Sequence, residues 1–460
     1  EDTTLSAEAL MGQLTSADFE KAHELVQIGE AYARSVDVAL QRYAAEPARY
    51  ARWRAARRDL AQANATREAW VGQIRFEGVD DSRAQRLHQI LDTVPGQTVS
   101  VADIERDMQQ LAATGDYDRV DYRLIPAGSG HNEALVIGLR ENNWGPSYLR
   151  LGLDLRTDFE GRGDFNLRIS HNRHWLNASG AEWRNRLQIG RTLAGYSELY
   201  QPLGRTGTRF GTVYLDAQQQ RVELFEDNGN EVAIGFKQRV SLGADIGWAL
   251  GQRSEFGDMR VGVIGTLYRA VPELVGIQLA PLGLTLNTQR WRELGLRAAV
   301  TADQLDHANF PSAGYRATGE LVLGRRSFIT QGGSDDFARI EARFTGARSW
   351  GAHTLNTSAR FAHASDIPIG AIDEYSLGGF QQLSGYRHSQ VAGNYLLFGR
   401  LTWYRRLAWS SGGARALFTG ASLEAGNAWG DRRAVGLNDL QVGTSLFVGA
   451  DPGLGPLDLA

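Results

Sequence analysis

The sequence contains no cysteine, so a disulfide framework and a thiolate metal centre are both excluded. No stretch approaches the ~18–20 continuous apolar residues of a membrane-crossing helix. No basic-then-apolar signal segment opens the chain, and Glu1 reads as the start of a processed or trimmed polypeptide. A net charge of −4 over 460 residues points to no class of partner. Nor does any basic, aromatic-interleaved surface stand out, so no nucleic-acid partner is expected. The Gly-x-Ser-x-Gly elbow of serine lipases is missing too. Gly128-Ser129-Gly130 sits in a hairpin loop without the strand–turn–helix context of a nucleophile. His171 and His174 have a His-x-x-His spacing, but on a strand the two would point to opposite faces, which argues against a metal site. Neither catalysis nor a cofactor is expected of this stretch. A barrel-borne lipase would need a Ser, a His and a polar orienter at one membrane-facing strand end, and no residue is marked for that role.

What the chain has in excess is glycine, 53 residues or about 11.5% against a usual ~7%. It also has alternation. In Tyr148–Arg156, Leu149, Leu151, Leu153 and Leu155 alternate with Arg150, Gly152, Asp154 and Arg156, so one face of a strand is aliphatic and the other polar. The pattern recurs through Phe165–Ile169, Leu187–Ile189, Val261–Leu267, Leu294–Val300, Ala338–Phe344 and Leu355–Phe361. Turns such as 160–163, 227–230 and 331–334 separate the strands. Tyr148, Trp175, Trp183, Tyr268, Trp403 and Tyr404 fall near strand ends, as interfacial girdles require. A soluble sandwich alternates as well, with its apolar face inward. Here the pattern repeats over some three hundred residues with no helix to cover the apolar face. The economical solution is a closed sheet with lipid outside and water or a plug within. A mean hydropathy of −0.33 suits it, because half of each strand faces water. About fourteen strands are complete, with a stub at Pro456–Ala460.

Upstream, Asp18–Tyr43 has helical spacing with Ser16 as N-cap. Tyr50, Trp53, Ala56 and Leu60 suggest a second helix carrying Arg49, Arg52, Arg54, Arg57 and Arg58. Those arginines form either a solvated face or a surface for acidic lipid headgroups. Two helices in so short a segment bury too little to fold alone. Residues 70–142 then read strand, helix, helix, strand, strand: Val71–Glu77, Ser82–Leu91, Val101–Ala113, Tyr117–Pro126 and Ala134–Arg140. Gly115 closes the second helix. With Phe76-Glu77-Gly78 and Gly115-Asp116-Tyr117 at their places, this order resembles a polypeptide-transport-associated (POTRA) domain.

Three motifs follow in order. Asp306, Phe310-Pro311 and Gly314-Tyr315 form a strand–turn signature. Leu383-Ser384-Gly385-Tyr386-Arg387 lies in a long loop, and Glu424-Ala425-Gly426 comes two strands later. Together they resemble the superfamily of barrel-assembly insertases and two-partner secretion transporters. In that family a long loop folds into the lumen, and an Arg at its tip pairs with an acidic residue on a later strand. Ser384 stands where the family has that Arg, and Glu424 stands for its Asp. Parity puts Glu424 inward with Phe418, Gly420 and Ser422. The expectation is that Arg387 substitutes for the missing Arg and pairs with Glu424.

Nearly the whole chain resembles the fused patatin-like autotransporters. The fold class implied is mostly β: a transmembrane antiparallel β-barrel of about sixteen strands, preceded by one α/β POTRA domain and a short helical segment. Residues 1–66 would end an upstream patatin-like passenger and its linker, 70–142 would be the POTRA domain, and 146–460 a barrel whose last strands lie beyond Ala460. The function implied is an outer-membrane translocator and anchor that secretes or displays its own lipase passenger. The alternative is an insertase or two-partner exporter for other chains. The partners implied are outer-membrane lipid, the passenger, barrel-assembly machinery, periplasmic chaperones and a second copy in a homodimer. The place implied is the bacterial outer membrane, with POTRA domain and tail in the periplasm.

Overall fold

The computed structural model describes residues 22–37, 41, 44–65, 68–112, 116–127, 132–142, 145, 147–157, 163–177, 179–204, 207–225, 231–251, 256–275, 288–365, 374–407, 414–452 and 457–459. Ser16, Gly115, the 128–130 loop and the 227–230 turn lie outside them, as does most of the 160–163 turn.

Two helices come first, α1 (Ala22–Ser35) and α2 (Pro47–Ala65). Glu46 opens α2 by accepting the amides of Ala48 and Arg49 at 3.1 and 3.0 Å. Tyr50 and Trp53 remain half exposed, stacked 5.6 Å apart, and Arg57 lies 5.0 Å over the Trp53 ring. That arginine is spent partly on its own helix.

An α/β module follows: β1 (Glu68–Glu77), α3 (Asp81–Ile90), β2 (Gln97–Ser100), α4 (Val101–Ala112), β3 (Tyr117–Pro126) and β4 (Asn132–Glu141). Its sheet runs β2-β1-β4-β3, with β1 parallel to β4 and the other pairs antiparallel. Leu87 and Leu91, from α3 and just after it, and Ile104 and Leu111 of α4 bury fully against Val71, Leu135 and Ile137 of the sheet. Asp80 caps α3 through the Arg83 amide at 3.0 Å. Gly78 has φ +87°, and a Cβ there would lie 2.0 Å from the Leu139 carbonyl oxygen, so this turn requires glycine. The short β2 did not stand out in the sequence because four residues carry too little alternation to read.

One antiparallel sheet forms the rest. Each of its strands pairs with the next one named here. It begins with β5 (Ser147–Thr157), β6 (Gly163–Arg173), β7 (Glu182–Gly190), β8 (Thr192–Leu203) and β9 (Arg209–Phe225). It continues through β10 (Glu231–Leu250), β11 (Gly257–Val275), β12 (Gln289–Asp303), β13 (Ala313–Phe328), β14 (Ser334–Trp350) and β15 (His353–Ala364). After a long loop come β18 (Tyr395–Leu407), β19 (Ala414–Trp429), β20 (Gln441–Pro452) and the three-residue β21 (Leu457–Leu459). Fourteen long strands and a stub are therefore described.

The faces separate sharply. Leu149, Leu151, Leu153 and Leu155 are 67, 75, 63 and 70% exposed, and Leu446 is 78% exposed. In water such a band would be an association surface, whereas against acyl chains it is satisfied. On the other face, charges meet across non-adjacent strands, which only a concave wall allows. Arg260 of β11 reaches Glu198 of β8 at 2.7 Å, and Arg297 of β12 reaches Asp245 of β10 at 2.7 Å. Arg339 of β14 reaches Glu293 of β12 at 3.2 Å, past Arg326 of the intervening β13, which holds the same carboxylate at 2.9 Å. This is a transmembrane-type antiparallel barrel wall with a charged lumen, and not two sheets sharing an apolar interior.

The aromatics correct one expectation. Trp183 and Trp403 face outward, as girdle residues do, but Tyr268 and Tyr404 point into the lumen and are buried. Their hydroxyls explain why: Tyr268 accepts from Arg339 at 2.8 Å, and Tyr404 donates to the Pro311 carbonyl. Trp175, with φ 58°, packs against the core of the α/β module instead. The module is further tied to the barrel turns by Arg86, which donates to the Gly204 carbonyl at 2.9 Å.

Candidate functional site: a lumen loop clamped on Glu424

The segment between β15 and β18 folds back inside the barrel. Its described part forms a small hairpin, β16 (Tyr375–Leu377) with β17 (Val391–Gly393), topped by residues 378–390. Tyr375, Leu377 and Leu383 pack with Ala362, Leu396, Phe398 and Ala428 of the inner wall. Glu374, at the loop's start, meets Lys237 on β10, while the tip lies against β19 and β20. The loop thus spans the lumen.

At the tip, Leu383 takes φ 77° and Gly385 φ 95°. The turn aims successive N–H groups the same way, the arrangement of an anion nest. Both amides end on Glu424: Leu383 and Ser384 each donate to Oε2 at 2.7 Å. The Ser384 hydroxyl donates to Oε1 at 2.9 Å, and the Ser422 hydroxyl does so at 2.5 Å. Glu424 is completely buried, so its carboxylate exchanges water for four donors. Tyr386 adds a second fastening through its hydroxyl to Gln441 Oε1, at 2.6 Å.

Two glycines allow close approach here, Gly443 for the tip and Gly426 for Phe398 of the wall. A Cβ on Gly443, which pairs with Glu424 across β20, would lie 2.7 and 2.8 Å from the Ser384 N and O. A Cβ on Gly426 would meet the Phe398 ring at 2.9 Å.

Glu424 points into the lumen and meets the loop tip through a partner other than the one expected. Glu424 receives no guanidinium from Arg387. Past the turn at Gly385, the Arg387 side chain is exposed, and its amide donates to Gln390 Oε1 at 2.7 Å. The place expected for Arg387 is taken by Ser384, together with two main-chain amides. The cation nearest this arrangement lies on the wall. Arg400 of β18 is the cross-strand neighbour of Glu424 and donates to the Gln381 carbonyl at 3.0 Å and to Ser358 at 3.2 Å. Sequence reasoning missed Arg400. Its parity with Leu396, Phe398, Thr402 and Tyr404 was the available signal.

The strand–turn signature sits at the opposite end of the strands from the loop's entry. Asp306 accepts the amides of Ser312 and Ala313 at 2.8 and 3.1 Å and the Ser312 hydroxyl. Gly314 has φ +98°, and a Cβ there would come within 1.9 Å of the Gln304 carbonyl oxygen. The turn thereby delivers Phe310 onto Phe418, 4.2 Å away and stacked. Phe447 belongs to the same cluster, and Phe380 of the loop meets it edge-on at 5.9 Å. Turn motif, loop and Glu424 strand therefore form one packed unit. His171 and His174 do part company: His171 lies on the outer face, while His174 lies 3.5 Å from both Asp116 and Glu182. Among the described residues no cluster of metal-binding type occurs.

No family model matches the sequence, and no curated protein matches it. Solved structures do match. BamA from Haemophilus ducreyi lacking POTRA domains 1–3 superposes with a TM-score of 0.63 at 13% identity, covering 85% of this chain and 80% of that one. The fold is similar to that of BamA. CdiB from Acinetobacter baumannii (TM-score 0.49, 12% identity, 83% and 68% covered) and CdiB from Escherichia coli (0.47, 16%, 84% and 70%) also match. At 13% identity the likeness to BamA is one of fold, and it extends over most of both chains.

Proposed function

We propose that this chain is an outer-membrane polypeptide transporter whose lumen is closed by the 374–394 loop. The observation that carries this reading is the clamp on Glu424. A soluble passage for a chain must be shut at rest, and here the bolt is made of neutral donors. Withdrawing it breaks no ion pair at Glu424; it exposes two amides and a hydroxyl that water can satisfy. The finer form of the proposal follows the resemblance to fused patatin-like autotransporters. Residues 1–66 would be the tail of a lipase passenger and its linker, 70–142 a periplasmic POTRA domain, and 146–460 the anchor through which the passenger reaches the surface. The insertase alternative is favoured by the BamA-like fold alone.

The test is Glu424→Ala in the full-length protein, with protease accessibility of the passenger on intact cells as readout. Display is expected to fall while the barrel still migrates as folded on unheated gels. Unchanged display would remove the loop from the transport cycle. Display of a second, unlinked polypeptide in place of the passenger would favour the alternative.

A further inference from the structure

The outer face of the barrel is aliphatic along the middle of its strands and gathers polar side chains near their ends, and one such cluster lies at the module-side end of β5–β8. There Ser147 Oγ lies 3.0 Å from His171 Nε2, and Asn185 Nδ2 lies 3.2 Å from His171 Nδ1. The three residues come from three successive strands and share the face of Leu149 and Leu151. Arg173, directly across from Ser147, is exposed on that face and makes no ion pair among the described residues. Trp183 meets the His171 ring edge-on at 5.7 Å and donates from Nε1 to Ser197 at 2.9 Å. An outward Trp marks the headgroup level. Just toward the membrane centre, a groove of about 380 Å³ opens beside His171 and Asn185. Its walls are Ile169, Leu187 and Leu215, and it is left open at Gly195 and Ala217.

A linked polar chain and a lone guanidinium on a lipid-exposed wall are costly unless headgroups meet them. We propose that this patch binds one glycerophospholipid of the module-side leaflet. Arg173 takes its phosphate, the Ser147–His171–Asn185 chain takes the glycerol-ester region, and one acyl chain fills the groove. A groove of that size falls within the ~300–1,000 Å³ typical of small-molecule sites. The apolar walls select a lipid over a free phosphate ion. The order Ser, His, Asn is also that of a hydrolase triad. Yet the Asn185 amide nitrogen donates to His171 Nδ1, which leaves the neutral ring's proton on Nε2, so His171 donates to Ser147 instead of taking its proton. The proposal is therefore one of binding, without cleavage. This inference stands apart from the transport proposal.

The experiment is native mass spectrometry of the full chain in detergent, titrated with phosphatidylethanolamine. One retained lipid is expected. Arg173→Ala should weaken retention about tenfold, equivalent to about 1.4 kcal/mol. Gly195→Leu should do the same by filling the groove, since a Cβ there meets nothing within 4 Å and the fold can accept it. Gly265→Leu, on another outward glycine, should leave retention intact and controls for barrel folding. Three results would each overturn the assignment: unchanged retention in both site variants, displacement of the lipid by inorganic phosphate alone, or release of fatty acid that depends on Ser147.

Discussion

Replacing Glu424 by alanine deletes the acceptor of four hydrogen bonds at once. The two hydroxyls can rotate to other partners, as Ser422 already lies 2.6 Å from Ser445. The Leu383 and Ser384 amides are fixed by the backbone and cannot. Leaving a buried donor unsatisfied costs about 1–3 kcal/mol, so two such amides set the loss at about 2–6 kcal/mol. Lumen water entering the vacated space moves the result toward the lower end. Glutamine behaves differently. Its amide oxygen can take both N–H groups, and its NH2 can donate to the two serine hydroxyls, so only the charge assistance is lost, about 1 kcal/mol. Amide hydrogen exchange at Leu383 and Ser384 reads this directly, because local opening of the tip governs both sites. Alanine should accelerate exchange by about 30-fold or more, corresponding to about 2 kcal/mol, and glutamine by well under that. Equal effects of the two variants would refute the nest geometry. An acceleration in Arg387→Ala as large as in Glu424→Ala would restore the arginine as the clamp.

Gly443→Val should push the loop tip off the wall, raising conductance in planar bilayers while the barrel stays folded; an unchanged conductance would show that the tip does not depend on this contact. Arg400→Met removes the donor to the Gln381 carbonyl and to Ser358 and should cost about 1–3 kcal/mol, read as a lower unfolding midpoint. The Asp306 turn should be acid-sensitive. Burial works against its charge, but the hydroxyl of Ser312 and the amides of Ala313, Ser312 and His307 outweigh it and hold the carboxyl below its ordinary value. A depressed carboxyl contributes stability that is complete above its unfolded pKa and lost as pH falls through the folded one. The wild type should therefore lose more thermal stability between about pH 7 and about pH 3 than Asp306→Asn does; parallel losses would remove the turn from the pH response.

Side-chain parity was legible from the sequence because it is a local property of a strand. Two residues per repeat fix which face Leu149 or Glu424 takes, whatever the strand's neighbours are. For the same reason, the inward Glu424 and the outward leucines needed no coordinates. The α/β order of the module could be read from its glycine turns and helical spacing, except for the four-residue β2. The aromatic girdle was legible only by position along the strand, since reaching a strand end does not say which face a ring takes. Tyr268 and Tyr404 went inward because their hydroxyls found Arg339 and Pro311, partners from other strands.

What remained for the tertiary structure were the encounters between distant segments. The loop tip and Glu424 are forty residues apart in sequence, and the tip's grip comes from main-chain amides that no side-chain motif encodes. A reading by residue type looked for a cation and settled on Arg387. The fold answered with a turn, because a strained backbone at Leu383 aims two N–H groups where one guanidinium was expected. The outer patch of Ser147, His171 and Asn185 has the same origin. Neither Ser147 nor Asn185 stands out on its own strand, and only the register of β5, β6 and β7 brings them within hydrogen-bond reach of His171.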